Sequence, residues 1–335
     1  MMATPFWRRF ALIVMLFLTP PLLCSCSDDD CPSCPPQETA DPTGWFLQET
    51  LTTETLTNII ALDSRTIIAA GGAGTIVRTT NGGDTWTLVP TGRTENLMGL
   101  YFVDDLTGWA VGENGTALKT NDGGSIWAPQ TVPTTTHLRE VFFADDNTGW
   151  IAGGPVSGQT GDTLIMKTYD GGVTWDPQAL DFTVRTMFFV DADSGCVAGG
   201  SNLSRTTDGG ATWTLYDVAA PSWFGSLFFV DTLTGWIAGA QGFIAITRDG
   251  GKTWEHLNSG TTRNIVEIFF RDADNGWYAA RNPGTIAVTS DGGMTWRFQT
   301  SPTETNPNDI VFVDEETGWI SGVDGLVLKT VTGGW

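Results

Sequence analysis

A chain of 335 residues with 41 Gly, 15 Trp and only 17 Lys and Arg against 38 Asp and Glu suits many short strands and tight turns better than long helices. Its formal net charge of −21 argues against nucleic acid as a partner, because binding phosphates requires a cationic surface that displaces counterions. The same acidity argues against a polybasic membrane contact and favours solubility.

The first element in chain order reads as an export signal. Arg8 and Arg9 form a positive n-region, and Phe10 to Leu18 is an uninterrupted apolar run, too short to span a bilayer comfortably. Leu23-Cys24-Ser25-Cys26 then resembles the bacterial lipobox, with an aliphatic residue three before the cysteine and a small residue just before it. The resemblance implies that residues 1–25 are a lipoprotein signal peptide and that Cys26 is the lipidated first residue of the mature chain. Plain secretory cleavage is the alternative. Residues 26–43 are rich in Asp, Pro and Ser and are expected to be a disordered tether. Within it, Cys31 and Cys34 could pair in an oxidising compartment. A redox or metal CxxC needs a βαβ context or a second ligand pair, and the sequence offers neither.

From residue 44 onward the chain repeats itself. Thr79 to Trp86 (TTNGGDTW) returns as Thr120 to Trp127, Thr168 to Trp175, Thr206 to Trp213, Thr247 to Trp254 and Thr289 to Trp296, with a shortened copy at Thr330 to Trp335. A second motif, F-x-D-x-x-x-G-W-x-x-G, runs in step with it, and its Asp recurs as Asp63, Asp104, Asp145, Asp191, Asp231, Asp272 and Asp314. Seven units of about 41 residues match one four-stranded propeller blade each. Every unit reads as an apolar strand, an Asp-led turn, a strand opening on Gly-Trp, a Gly-rich turn, a third strand, and an Asn/Asp-Gly-Gly turn into a fourth. Asx side chains bond the backbone two residues on, and Gly supplies the positive φ of such turns.

The last unit stops at its turn, and Gly44 to Thr50 (GWFLQET) looks like the missing fourth strand. The predicted fold is therefore all-β: a seven-bladed β-propeller of four-stranded antiparallel blades over residues 44–335, closed by the N-terminal strand, which leaves fewer open sheet edges. It is expected to be a monomer.

The S/T-x-D-G-G-x-T-W element matches the Asp-box, or bacterial neuraminidase repeat. Paired with F-x-D-x-x-x-G-W-x-x-G, it resembles the photosystem II assembly and stability factors of cyanobacteria and chloroplasts over about residues 44 to 335. The resemblance implies a lumenal-side propeller that helps to assemble a membrane complex by binding a protein partner through an arginine-rich patch. No dense Arg cluster is visible along this chain. The expected location is outside the cytoplasmic membrane, lipid-anchored and facing the periplasm or cell surface, or the thylakoid lumen in a photosynthetic host.

The competing chemistry is weaker. A turn repeated seven times serves the blade rather than a site. The D-x-D-x-G turns at Asp191 and Asp272 lack the later ligands of a calcium loop. His137 and His256 are the only histidines, which excludes a multi-His metal site; neither a metal nor another cofactor is expected. A sialidase needs an arginine triad, a Tyr nucleophile and an Arg-Ile-Pro signature, and the signature is missing. A glycosidase needs two carboxylates about 5–9.5 Å apart, and context marks no such pair. A carbohydrate-active propeller, glycosidase or lectin, remains the alternative to a non-enzymatic binder. A surface structural module without a small ligand is the third reading.

Positions that break the repeat are freer to serve something else. Eight residues before each turn Asp stand Thr55, Asn96, His137, Thr183, Trp223, Asn264 and Asn306, and two further on stand Thr57, Met98, Arg139, Arg185, Gly225, Val266 and Asn308. These loops lead into the innermost strands and should ring the channel mouth. Trp223 is the one tryptophan that repeat, signal and closing blade leave unexplained. An aromatic with nearby Arg is the usual make-up of a binding hot spot, so His137, Arg139, Arg185, Trp223 and Arg263 are the candidate partner-binding residues. The opposing reading packs Trp223 on its own loop and bonds the arginines to local carbonyls. Unit 3 adds an insertion, Gly154 to Asp162, on the same face. Cys196 takes the repeat Trp position and is expected to be buried.

Overall fold

The computed structural model describes residues 44–155, 163–220 and 222–334, which form seven four-stranded antiparallel sheets. The signal, the tether with Cys26, Cys31 and Cys34, most of the unit 3 insertion, and Trp335 lie outside the described residues. Among the described residues no helix is long and apolar enough to cross a membrane.

The inner strands are Leu56–Ala61, Leu97–Phe102, Leu138–Phe143, Thr186–Phe189, Phe224–Phe229, Asn264–Phe270 and Pro307–Phe312. Each contacts the next and the last contacts the first, so the seven sheets surround one axis as propeller blades. The predicted closure is present. Blade 7 consists of Pro307–Phe312, Thr317–Gly322, Val327–Val331 and the N-terminal Phe46–Leu47, with Phe46 opposite Lys329 and Leu47 opposite Leu328. Trp45 locks the seam: it is fully buried, donates its Nε1–H to Gln299 Oε1 of blade 6 at 3.1 Å, and meets Phe312 edge-on.

The repeated residues perform repeated tasks. Each of the seven turn aspartates accepts the backbone N–H groups two and three residues ahead, which fixes the first hairpin. In blades 2 to 7 the Phe before that turn lies flat on the Gly that opens the second strand; a Cβ on Gly149 would come 2.5 Å from the Phe143 ring. In four blades the other face of the Phe takes a Trp from the preceding blade. Trp109 stacks on Phe143 at 3.4 Å, Trp150 on Phe189 at 3.9 Å, Trp236 on Phe270 at 3.5 Å and Trp277 on Phe312 at 3.8 Å. These stacks bury large apolar area between blades. Cys196, at a Trp position, is buried as expected, and burial pushes its thiol up to about 12.

The Asp-box is a closed hydrogen-bond knot. Thr247 Oγ1 donates to Asp249 Oδ1 and accepts from Gly251 N, while Asp249 also accepts the backbone N–H and hydroxyl of Thr253. Gly250 and Gly251 take φ of 75° and 89°, which a side chain would strain. These bonds, set against partial burial, hold the Asp249 carboxyl down at about 2. Basic residues of the third strand tie the boxes of blades 2 to 5 to the preceding blade: Arg78 bonds Gly123 O, Lys119 Gly171 O, Lys167 Gly209 O and Arg205 Gly250 O. Because adjacent strands are antiparallel, all hairpins and boxes lie at one end of the ring. The lead-in loops and second turns lie at the other, the channel mouth.

Candidate functional site: the channel mouth

The mouth begins with a shared backbone scheme. Thr55, Asn96, His137, Trp223 and Asn306 each accept, through the carbonyl, the N–H that opens their own blade's second turn. Six of the seven inner strands then shift register by one residue, placing Thr57, Met98, Arg139, Gly225, Val266 and Asn308 on bulges. A bulge re-aims a side chain. The side chains are thus free to differ on a constant frame.

Three of them staple neighbouring blades. Asn96 Oδ1 accepts Ala73 N, Asn264 Oδ1 accepts Gln241 N, and Asn306 Oδ1 accepts Asn282 N. Where blade 5 has Trp223 in this column, the ring instead lies under a cation: the Arg185 guanidinium sits 4.8 Å from its centroid. The ring is half-buried and also lies close over Gly225, where an added Cβ would come within 2.9 Å of it. Trp223 therefore packs on its own loop and receives Arg185 on the ring.

Arg139 Nη2 donates to Pro155 O at 3.1 Å. Arg281, missed in the sequence reading, donates to Pro307 O and to the Asn308 side chain. Enclosure by protein, followed by the charges of Arg139 and Arg281, pushes the Arg185 guanidinium below its usual value, while Glu140 opposes the shift. Arg185 still presents exposed surface at the rim. Folding thus gathers cations that are scattered along the chain. Arg263 is not part of this group. It bonds the Thr285 hydroxyl of the third strand of blade 6, outward from the axis, beside a recess lined by Asn258, Thr261, Thr262 and Phe298. His137 buries its Nδ1 without a hydrogen-bond partner.

One level below the cations lie three carboxylates that the sequence reading also missed. Glu140, Glu267 and Asp309 occupy the same register position in blades 3, 6 and 7. Burial, then the charge of Asp309, pushes Glu140 up to about 8, against the opposing pull of Arg185 and Arg139. Burial, then the charges of Asp309 and Glu140, raises Glu267, and burial raises Asp309 against the backbone N–H groups it accepts. Asp309 accepts Ile59 N and Ile310 N, and Glu267 accepts the Ser226 hydroxyl. Two residues further along the inner strands, Tyr101, Phe142, Phe188, Phe228 and Phe269 touch in succession around the axis. The result is cations at the rim, protonatable carboxyls beneath them, and an aromatic floor. Among the described residues no group of three or more His, Cys, Asp or Glu is arranged to hold a metal ion.

A set of residues this specific invites comparison with known propellers. No curated protein matches the sequence. Among solved structures, the chain is similar to YCF48 bound to D1 peptide, at 22% identity and a TM-score of 0.72 over 87% of this chain and 98% of that one. It is similar to YCF48 from Cyanidioschyzon merolae, at 18% identity and a TM-score of 0.69 over 85% of this chain and 98% of that one. The GH74 enzyme of Niastella koreensis matches at 14% identity and a TM-score of 0.69, over 85% of this chain but 53% of the enzyme. These likenesses establish the propeller fold. The family described as photosynthesis system II assembly factor YCF48 matches residues 86–184 and 257–331, just over half of the sequence, and the chain belongs to that family.

Proposed function

We propose that this propeller is an exported, lipid-anchored assembly factor that docks a segment of a partner protein at the channel mouth. The observation that carries the reading is the Arg185–Trp223 pair at 4.8 Å, with Arg139 and Arg281 within electrostatic reach, on a chain that is otherwise strongly acidic. A half-buried aromatic carrying a guanidinium offers both the apolar area and the charge on which interface hot spots rest. Family membership supports the reading, as does the fact that a similar propeller has been solved bound to a peptide. The anchor would be Cys26, and the location the outer side of the cytoplasmic membrane.

The test is a pull-down from detergent-solubilised membranes comparing wild type with a Trp223→Ala, Arg185→Ala double variant. A partner captured by wild type and lost with the folded variant is the expected result. Capture of the same partner by both proteins would move docking elsewhere. Cys26→Ser should release the protein from the membrane fraction; unchanged partitioning would reject the anchor.

A second reading rests on the three raised carboxyls in the channel. A protonated and an ionised carboxyl side by side are the general requirement for glycoside hydrolysis. Hydrolysis of a β-glucan that is abolished by Glu267→Gln would favour it. Inactivity across a glycan panel at pH 5 to 8 would remove it.

A further inference from the structure

The carboxyls beneath the cations have a consequence for docking. Glu140 directly follows Arg139 at the bulge of the Leu138–Phe143 strand, and Arg185 precedes the neighbouring inner strand. The charged groups acting on Glu140 are those two arginines and Asp309 on the inner strand of blade 7, and Glu140 in turn acts on Glu267 on the inner strand of blade 6. Glu113, in the second turn of blade 2, acts on Arg139, and Arg281 acts on Arg185. His137 immediately precedes the strand that carries Glu140. The inner strands of blades 1, 2, 4 and 5 carry no charged residue. Glu267 has the Ser226 hydroxyl and Asp309 has two backbone N–H groups. Glu140 has the arginines as its favourable charges. Whatever occupies the arginines therefore acts first on Glu140.

We propose that Glu140 gates the mouth cations: ionised, it competes for Arg139 and Arg185, and protonated, it leaves them to an anionic group of the docking partner. Docking would then take up a proton from solvent, and undocking would return it. This rests on the docking reading above. An incoming carboxylate neutralises the arginines and displaces water, and both effects favour the neutral form of Glu140. With its carboxyl at about 8 in the free protein, docking should be tightest below that pH and weaken above it.

The probe is a synthetic hexaglutamate peptide, whose side chains stay ionised throughout the window used. Its binding to the full chain is measured by calorimetry at pH 7.0 and 9.0, in buffers of different ionisation enthalpy. Wild type should bind about tenfold more weakly at pH 9.0, the factor for one pKa unit, with uptake of up to one proton per complex. Glu140→Gln, checked for folding by circular dichroism, should show neither the pH dependence nor the uptake. Glu267→Gln should retain both. Equal wild-type affinity at the two pH values would overturn the gate and leave docking standing. A slope that persists in Glu140→Gln would overturn the assignment to this residue. Absence of peptide binding at either pH would reject the anionic docking site, and the gate with it.

Discussion

The two ends of the ring are built from the same seven units yet obey different rules. At the box end every blade carries the same aspartate, accepting the same two backbone N–H groups. At the mouth the backbone bonds repeat and the side chains do not: an Asn staples three seams, while Trp223 holds a guanidinium in a fourth. Repetition marks what the fold needs from each blade. Departure from it, on a frame that tolerates departure, marks where one blade can act alone.

The contrast can be broken from either side. The largest stability loss should come from an inter-blade stack. Trp236→Ala removes a ring that lies 3.5 Å from Phe270 and donates to Gly292 O at 2.9 Å, and should lower the unfolding free energy in guanidinium by about 4 kcal/mol. A loss below about 1 kcal/mol would mean that the stacks fill space without holding the ring. Next comes the box. Thr247→Val keeps the shape and deletes the hydroxyl that bonds Asp249 and Gly251, which should cost about 1–3 kcal/mol.

The channel carboxyl should give a smaller effect that depends on pH. Glu140 keeps its proton to about pH 8 in the folded chain, whereas an unfolded Glu loses it near 4.3. The folded state binds more protons between those values, so stability falls as pH rises through them. Glu140→Gln should match wild type near pH 5 and exceed it at pH 8.5 by about 1–2 kcal/mol, allowing for solvent screening. Melting curves at the two pH values decide this, and parallel curves would show that the carboxyl is not strained. The smallest change should follow Trp223→Ala or Arg185→Ala at the rim, within about 1 kcal/mol in stability but with partner capture lost. A large destabilisation there would return Trp223 to the ordinary core.

Which parts were legible in the sequence follows from the same contrast. The hairpin aspartates, the Gly-Trp strands and the completion of blade 7 by Phe46–Leu47 could be read because each repeats, or fills a gap in a repeat. Trp223 was visible as a tryptophan outside the pattern. Its partnership with Arg185 needed the blades to be set side by side. Glu140, Glu267 and Asp309 went unnoticed among 38 acidic residues, because their proximity is a matter of shared register across blades far apart in the chain. Aligning the column five residues before each hairpin aspartate would have gathered them. Arg281 stands where other blades begin their second turn with residues such as Gly72, Gly200 or Ala240, a column that the lead-in positions do not include. Arg263 shares the sequence neighbourhood of the mouth but is drawn outward by Thr285, a matter of side-chain reach that spacing does not reveal.

The closing blade also bears on how the protein is made. Phe46–Leu47 emerges first among the described strands, yet its partner Val327–Val331 is the last. Blades 1 to 6 can each form as their own segment becomes available, but the ring stays open until the end of the chain returns to the beginning. The seam is also the place where a nick or an edge-strand competitor would find the ring easiest to open.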